Sequence, residues 1–284
     1  MKILHVVGAR PNFMKVAPVL HALGQHAGVS QTLVHTGQHY DVNMSDIFFQ
    51  QLGIPAPDVN LEIGSASHAQ QTAQIMARFE PVMLEQKPDM VLVYGDVNST
   101  VAAALVCAKL LIPVAHVEAG LRSGDRTMPE EINRLVTDQL SDLLFTPSPD
   151  GNVNLAREGI AGDKVHLVGN VMIDTLVHLQ PAVAASTVLE MLQLSPSGYS
   201  VLTLHRPSNV DDDQVLAALM GTILDLAQRL AVVFPVHPRT RQRLSRLGLA
   251  LHPERLRLVD PLGYNDFQRL TSQAGIVLTD SGGI

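Results

Sequence analysis

Short apolar runs alternate with longer helical patterns along most of this 284-residue chain. In the first half, six such runs predict strands at residues 2–7, 32–35, 90–94, 114–117, 143–146 and 165–168. The segments between them predict helices, among them 98–110, which starts with good capping residues, and 130–141, which follows a proline. Regular alternation of strands and helices predicts an α/β fold with a parallel, doubly wound sheet.

A second series of strands and helices follows a polar, proline-bearing segment at residues 194–198. It predicts strands at 200–204, 232–235, 257–259 and 276–279, with helices at 213–230, 240–247 and 265–274. We therefore predict two α/β domains, residues 1–170 and residues 171–284. Four strands make an incomplete second sheet, so we expect the natural protein to continue and this chain alone to be inactive or very weak.

Composition and charge exclude several classes of protein. A formal net charge of −7 argues against a nucleic-acid backbone as the main partner. Cys107 is the only cysteine, which excludes an intrachain disulfide and a four-cysteine zinc site and favours a reducing, cytoplasmic setting. The longest apolar stretch, residues 101–117, contains Lys109 and Pro113, so no membrane span is predicted. No metal site is predicted either.

Acidic residues follow two neighbouring predicted strands. Asp96 lies two residues after the run 90–94, Glu118 directly follows the run 114–117, and Glu130 and Glu131 come shortly after. The carboxyl ends of parallel strands form the ligand crevice of an open sheet, which predicts that these carboxylates face a substrate. Simpler interpretations stay open: Asp96 as a helix cap, a structural Glu118–Arg122 ion pair, and an ordinary acidic first turn at 130–131.

Basic residues also follow predicted strands. Arg10 and Lys15 lie at a helix start after the first strand, and in the second half His205–Arg206 and His237 follow strands as well. Together with the glycines at 282–283, these loops suit the oxygens of a phosphate. The alternative is a set of surface turns with solvated side chains. No dinucleotide-binding glycine fingerprint or phosphate-binding P-loop occurs, so a bound nicotinamide is disfavoured and no cofactor is predicted.

Eight motifs, taken in order, carry a family resemblance: residues 8–15, 36–41, 94–96, 116–123, 129–134, 204–206, 236–238 and 279–283. They resemble the non-hydrolysing UDP-N-acetylglucosamine 2-epimerases over essentially the whole chain. That resemblance implies a fold of the glycosyltransferase-B type, with two Rossmann-like domains facing each other across a cleft. It also implies a UDP-sugar substrate, no cofactor and a homodimer. One departure is Asn12, where many members carry glutamate.

The resemblance also implies roles for individual residues. Catalytic roles fall on Asp96, Glu118, Glu130, Lys15 and His205. Substrate-binding roles fall on Arg10, Arg122, Arg134, Arg206, His237, Ser281, Gly282 and Gly283. The implied reaction interconverts UDP-N-acetylglucosamine and UDP-N-acetylmannosamine by loss and return of UDP through a 2-acetamidoglucal. Three alternatives stay open: a 2-epimerase for a UDP-diacetamido-uronic acid, a glycosyltransferase of the same fold, and a nucleotide-sugar sensor without turnover.

Overall fold

The computed structural model describes residues 1–37, 49–248 and 254–281. Most of the motif predicted at 36–41, together with Gly282 and Gly283, lies outside these residues. The chain divides into two compact units, Met1–His178 and Leu179–Ile284. The division falls inside the helix Val171–Ala184, which the sequence assigned entirely to the second domain.

Unit 1 contains a parallel sheet with the strand order β3-β2-β1-β4-β5-β6-β7. Its strands in the described residues are β1 (Lys2–Val7), β2 (Ser30–His35), β3 (Val59–Asn60), β4 (Met90–Tyr94), β5 (Val114–Val117), β6 (Leu143–Thr146) and β7 (Val165–Leu167). The sequence did not predict β3, which is only two residues long and adds to the edge beside β2.

Helices cover this sheet. They are α1 (Arg10–Gly24), α2 (His68–Gln86), α3 (Asn98–Leu110), α4 (Pro129–Leu140) and α5 (Pro149–Arg157). The next helix, α6 (Val171–Ala184), contains the division between the two units. Helix α3 packs between α2 and α4, and its alanines at 102–104 are fully buried. Small side chains permit this close packing, and the apolar faces of β1, β4 and α2 complete the core.

Unit 2 contains a second parallel sheet, with the order β10-β9-β8-β11. Its strands are β8 (Tyr199–Thr203), β9 (Ala231–Pro235), β10 (Leu256–Val259) and β11 (Ile276–Thr279). Its helices are α7 (Val188–Met191), α8 (Pro207–Val210), α9 (Asp213–Ala227), α10 (Pro238–Arg246) and α11 (Tyr264–Ser272). Asp212 caps α9 by accepting from the N–H groups of Gln214 and Val215.

Each sheet contains a point at which the order of its strands reverses. In unit 1 the reversal lies between β1 and β4, and in unit 2 it lies between β8 and β11. Ligands of open parallel sheets bind outside the carboxyl ends of the strands at such points. The predicted α/β class with two Rossmann-like sheets is therefore confirmed. Among the described residues, no helix has the length and apolarity needed to cross a membrane.

Candidate active site

Asn12 joins the two loops at the reversal point of unit 1. Its buried side chain accepts hydrogen bonds from the N–H groups of Gly8 and Ala9, each at 3.0 Å, through Oδ1. Its Nδ2 donates to the Tyr94 carbonyl at 2.7 Å. An ionised glutamate has no donor for that carbonyl, so the amide at position 12 suits this chain's own loop geometry.

Lys15 and Glu118 form an ion pair beside the end of β4. Lys15 projects from α1 with only 7% of its side chain exposed, and its Nζ donates to Oε2 of Glu118. Glu118 adopts a left-handed backbone, with φ of 77°, although it is not glycine. Such strain persists where the surroundings enforce it, often at functional sites. The structural Glu118–Arg122 pair considered as an alternative is not formed.

Asp96 is held by Arg134 of α4. Both Nε and Nη2 of Arg134 donate to a single oxygen of Asp96, Oδ2. The side chain of Asp96 caps no helix, because the N-cap of α3 is Val97. Burial lowers the pKa of Arg134, but the neighbouring carboxylates of Asp96 and Glu131 outweigh burial and raise it. The capping interpretation of Asp96 is therefore wrong. The second oxygen of Asp96, Oδ1, accepts no hydrogen bond from any residue in the described ranges.

Glu130 and Glu131 lie in different environments. Glu131 is buried, and its two oxygens accept from the backbone N–H groups of Ser123, at 2.9 Å, and Gly124, at 3.0 Å. Arg134 Nη1 also donates to it at 2.9 Å. Burial raises the pKa of Glu131, but these hydrogen bonds outweigh burial, so that the pKa lies below its ordinary value. Glu130 is half-exposed, and within the described part of the chain its carboxylate has no hydrogen bond or ion pair.

His116 and Asp138 form a fully buried pair that the sequence interpretation missed. The distance from His116 Nδ1 to Asp138 Oδ1 is 2.6 Å, and His116 Nε2 lies 2.8 Å from the Gly95 carbonyl. Asp138 lies seven positions after Glu131 in α4, so a helical spacing of polar residues on a buried face was the available signal.

Arg122 is occupied by two carboxylates. Its Nη2 lies 2.7 Å from Asp138 Oδ2, and it makes two hydrogen bonds to Glu158, at 2.7 Å and 2.6 Å. Burial lowers the pKa of Arg122, yet the two carboxylates outweigh this and raise it. The predicted substrate-binding role of Arg122 stays a prediction, with its guanidinium fully engaged in this structure.

In unit 2, Asp280 organises the loop that follows β8. It accepts hydrogen bonds from the backbone N–H groups of His205, at 3.0 Å, and Arg206, at 2.9 Å, and from Asn209 Nδ2 at 3.0 Å. His205 Nδ1 lies 2.6 Å from the other carboxylate oxygen of Asp280, and the His205 ring is mostly exposed. Burial raises the pKa of Asp280, but these donors outweigh burial and lower it.

The remaining predicted binding residues are placed less fully. Arg10 begins α1, and Arg206 is exposed with no bonded partner for its guanidinium among the described residues. His237 caps α10, where its Nδ1 accepts from the Arg239 N–H at 3.3 Å. The Ser281 N–H donates to Thr279 at 2.9 Å. The structure thus groups Lys15, Glu118 and Asp96 in unit 1 and groups 205–206 with 280–281 in unit 2.

Known proteins match this chain along its whole length. The model of the family described as UDP-N-acetylglucosamine 2-epimerase matches residues 21–284. A Methanococcus maripaludis protein named UDP-N-acetylglucosamine 2-epimerase homolog is 44% identical, over the whole chain and 80% of that protein. A Pseudomonas aeruginosa protein named UDP-2,3-diacetamido-2,3-dideoxy-D-glucuronate 2-epimerase is 45% identical, over the whole chain and 79% of that protein.

Solved structures agree with these relatives. The Methanocaldococcus jannaschii UDP-GlcNAc 2-epimerase, in complex with UDP-GlcNAc and UDP, has a TM-score of 0.90 at 40% identity, over the whole chain and 80% of that structure. The Neisseria meningitidis enzyme bound to UDP-GlcNAc also has a TM-score of 0.90, at 33% identity, over the whole chain and 79% of that structure. The resemblance carried by the sequence motifs is confirmed, and the chain belongs to the UDP-N-acetylglucosamine 2-epimerase family.

Proposed function

We propose that this protein interconverts UDP-N-acetylglucosamine and UDP-N-acetylmannosamine by inverting carbon C2 of the sugar. The observation that carries the proposal is the group of charges at the β1/β4 reversal point. There a partly buried Lys15–Glu118 pair lies beside Gly95, and Asp96 follows directly. Relatives of 40–44% identity that are named for this activity or as its homologues support the same conclusion.

The chemistry requires acid/base groups and a stabilised leaving group. The hydrogen on C2 is not acidic, because no carbonyl adjoins it. As the bond from C1 to the diphosphate breaks, positive charge develops at C1 and a carboxylate can remove the C2 proton. The C2–H electron pair then forms the C1=C2 double bond of a 2-acetamidoglucal, and UDP carries away the C1–O pair. Protonation of C2 from the opposite face and return of UDP to C1 complete the inversion.

The carboxylates of unit 1 suit the proton transfers. Glu118 is held by Lys15, Asp96 is held through one oxygen and keeps Oδ1 for a ligand, and Glu130 has a carboxylate without a bonded partner among the described residues. We assign these three carboxylates to the acid/base steps and Lys15 to charge stabilisation at the sugar. Glu131 is excluded from this role because both of its oxygens bind the preceding loop.

The loops at the β8/β11 reversal point suit a diphosphate. The exposed guanidinium of Arg206 and the ring of His205, which Asp280 orients, present two groups that bind phosphate oxygens. We assign His205, Arg206 and Ser281 to UDP, with His205 also assisting departure of the leaving group. The binding roles of Arg10, Arg134, His237, Gly282 and Gly283, a homodimeric state and a cytoplasmic location stay predictions.

A second substrate is supported by one specific observation. The Pseudomonas aeruginosa relative of 45% identity is named as a 2-epimerase of UDP-2,3-diacetamido-2,3-dideoxy-D-glucuronate. Inversion at C2 of that sugar poses the same chemical problem, so the same carboxylates would serve. The two substrates differ at C3 and at C6, away from the carbon that reacts.

Paired incubations test the proposal. Full-length protein is incubated with each UDP-sugar separately, without NAD and without an acceptor, and the epimer is quantified by NMR. We expect UDP-N-acetylmannosamine from UDP-N-acetylglucosamine, and no product from an Asp96→Asn variant that still binds UDP. Conversion of the diacetamido sugar alone would overturn the substrate assignment, and conversion of neither sugar would overturn the proposed function.

A further inference from the structure

The buried pair of His116 and Asp138 contacts both loops that carry proposed catalytic carboxylates. On one side, His116 Nε2 lies 2.8 Å from the carbonyl of Gly95, the residue before Asp96. On the other side, Asp138 Oδ2 accepts from the N–H of Gly120, two residues after Glu118, at 3.1 Å. Both side chains are fully inaccessible to solvent.

The imidazole of His116 bridges two oxygen atoms of neighbouring elements. Its Nε2 faces the carbonyl oxygen of Gly95. Its Nδ1 faces Oδ1 of Asp138, and the other oxygen of Asp138 is bound to Gly120 and Arg122. Both ring nitrogens of His116 and both oxygens of Asp138 therefore have a polar partner.

Asp138 connects His116 to a chain of hydrogen bonds. It binds the imidazole of His116 through one oxygen and accepts from Arg122 through the other, and Arg122 in turn donates to Glu158. A buried polar or charged group is costly unless it is hydrogen-bonded, and here every member of the group has a partner.

The same contacts fix the backbone that aims Asp96 and Glu118. The N–H of Gly95 donates to the Val117 carbonyl at 3.0 Å, while the Gly95 carbonyl faces His116. Gly95 and Gly120 both have positive φ, at 62° and 80°, so each loop turns sharply at the residue the network holds. Loss of the His116–Asp138 pair would remove the hydrogen bonds that hold both turns.

We propose that His116 and Asp138 act as a positioning pair for the carboxylates of Asp96 and Glu118. This inference rests on the proposed epimerase function for its kinetic consequence, but its structural part stands apart from activity. Neither residue touches the sugar in this account. The pair acts through the Gly95 carbonyl and the Gly120 N–H.

NMR of the full-length protein tests the structural part. The protein is labelled with ¹⁵N, and the backbone N–H signals of Asp96 and Glu118 are followed. Because the pair holds the Gly95 carbonyl and the Gly120 N–H, we expect both signals to shift in His116→Gln. Signals of Asp96 and Glu118 that keep their positions would overturn the positioning role.

Kinetics test the positioning role. His116→Gln and Asp138→Asn should lower kcat by about 100-fold, the loss expected when catalytic groups move by about 1 Å, and leave KM close to its original value. His5→Gln is the matched control, since His5 is also buried in the sheet but bonds Tyr94 Oη and Gln31 instead.

The outcomes separate the inference from the proposed function. A kcat for His116→Gln equal to that of His5→Gln would overturn the positioning role. An original protein without epimerase activity would overturn the proposed function, while the NMR result would still decide the positioning of the two loops. A large fall in kcat for both His116→Gln and Asp138→Asn, with retained KM and shifted signals of Asp96 and Glu118, supports the inference.

Discussion

Replacing Gly95 with alanine should damage the active site more than it damages the fold. Gly95 has φ of 62°, and a Cβ added there would lie 2.7 Å from Lys15 Nζ and 3.2 Å from Glu118 Oε2. The left-handed backbone costs alanine about 1–2 kcal/mol. For a unit of this size that corresponds to a fall in Tm of about 2–8 °C. The ammonium of Lys15 must also move away, which displaces its ion pair with Glu118.

The expected kinetic effect follows from that displacement. A shift of about 1 Å in a catalytic group can lower the rate by about 100-fold, so we expect Gly95→Ala to lose about that factor in kcat. Gly28→Ala is the matched control, because Gly28 has φ of 93° but no atom within 4 Å of its added Cβ. Calorimetry measures Tm and NMR measures epimer formation. Equal kcat values for the two variants, at similar Tm losses, would refute the role of the Lys15–Glu118 pair.

Three further predictions concern other residues of unit 1. Glu131→Gln should lower the free energy of unfolding, measured in urea, by about 1–3 kcal/mol, because hydrogen bonds of a buried side chain are lost. Glu130→Gln should change the free energy of unfolding by less than about 0.5 kcal/mol but abolish epimerisation. A stability loss in Glu130→Gln with retained epimerisation would contradict the assignment. Burial raises the pKa of Asp138, but His116 and Arg122 outweigh burial and hold the pKa below its ordinary value. The ionised Asp138 therefore stabilises the fold fully above about pH 4, the pKa of an aspartate in the unfolded chain. This contribution is lost as the pH falls through the lower pKa of the folded protein. Urea melts at decreasing pH should therefore show a steeper loss for the original protein than for Asp138→Asn, and equal slopes would argue against the pair. Burial raises the pKa of the Cys107 thiol to about 12, so a thiol reagent at neutral pH should react only after unfolding, and rapid reaction of the native protein would contradict this.

The sequence predicted the parallel sheets and the positions of the strand-end acids well. Strand periodicity and the carboxyl-end rule depend only on local pattern, and Asp96 and Glu118 lie where those rules place them. Strand β3 was missed because two residues carry no periodicity. The helix predicted at 213–230 ends earlier, at Ala227.

The ion-pair partners of the strand-end acids were harder to predict than the positions of these acids in the fold. The sequence suggested local partners for the acids, a helix cap for Asp96 and Arg122 for Glu118. The structure instead pairs Glu118 with Lys15, which is 103 positions away, and Asp96 with Arg134, which is 38 positions away. Such contacts depend on which strands become neighbours in the sheet, and the order β1-β4-β5 is a property of topology rather than of local pattern.

The central claim is that carboxylates of unit 1 remove and return the C2 proton of a UDP-sugar. The most direct test incubates full-length protein with UDP-N-acetylglucosamine in heavy water and follows the C2 signal by proton NMR. The account predicts solvent deuterium at C2 of the manno epimer as it forms, and no exchange in Asp96→Asn. Epimer formed with the original C2 hydrogen retained would contradict the account, and so would undiminished exchange in the Asp96 variant.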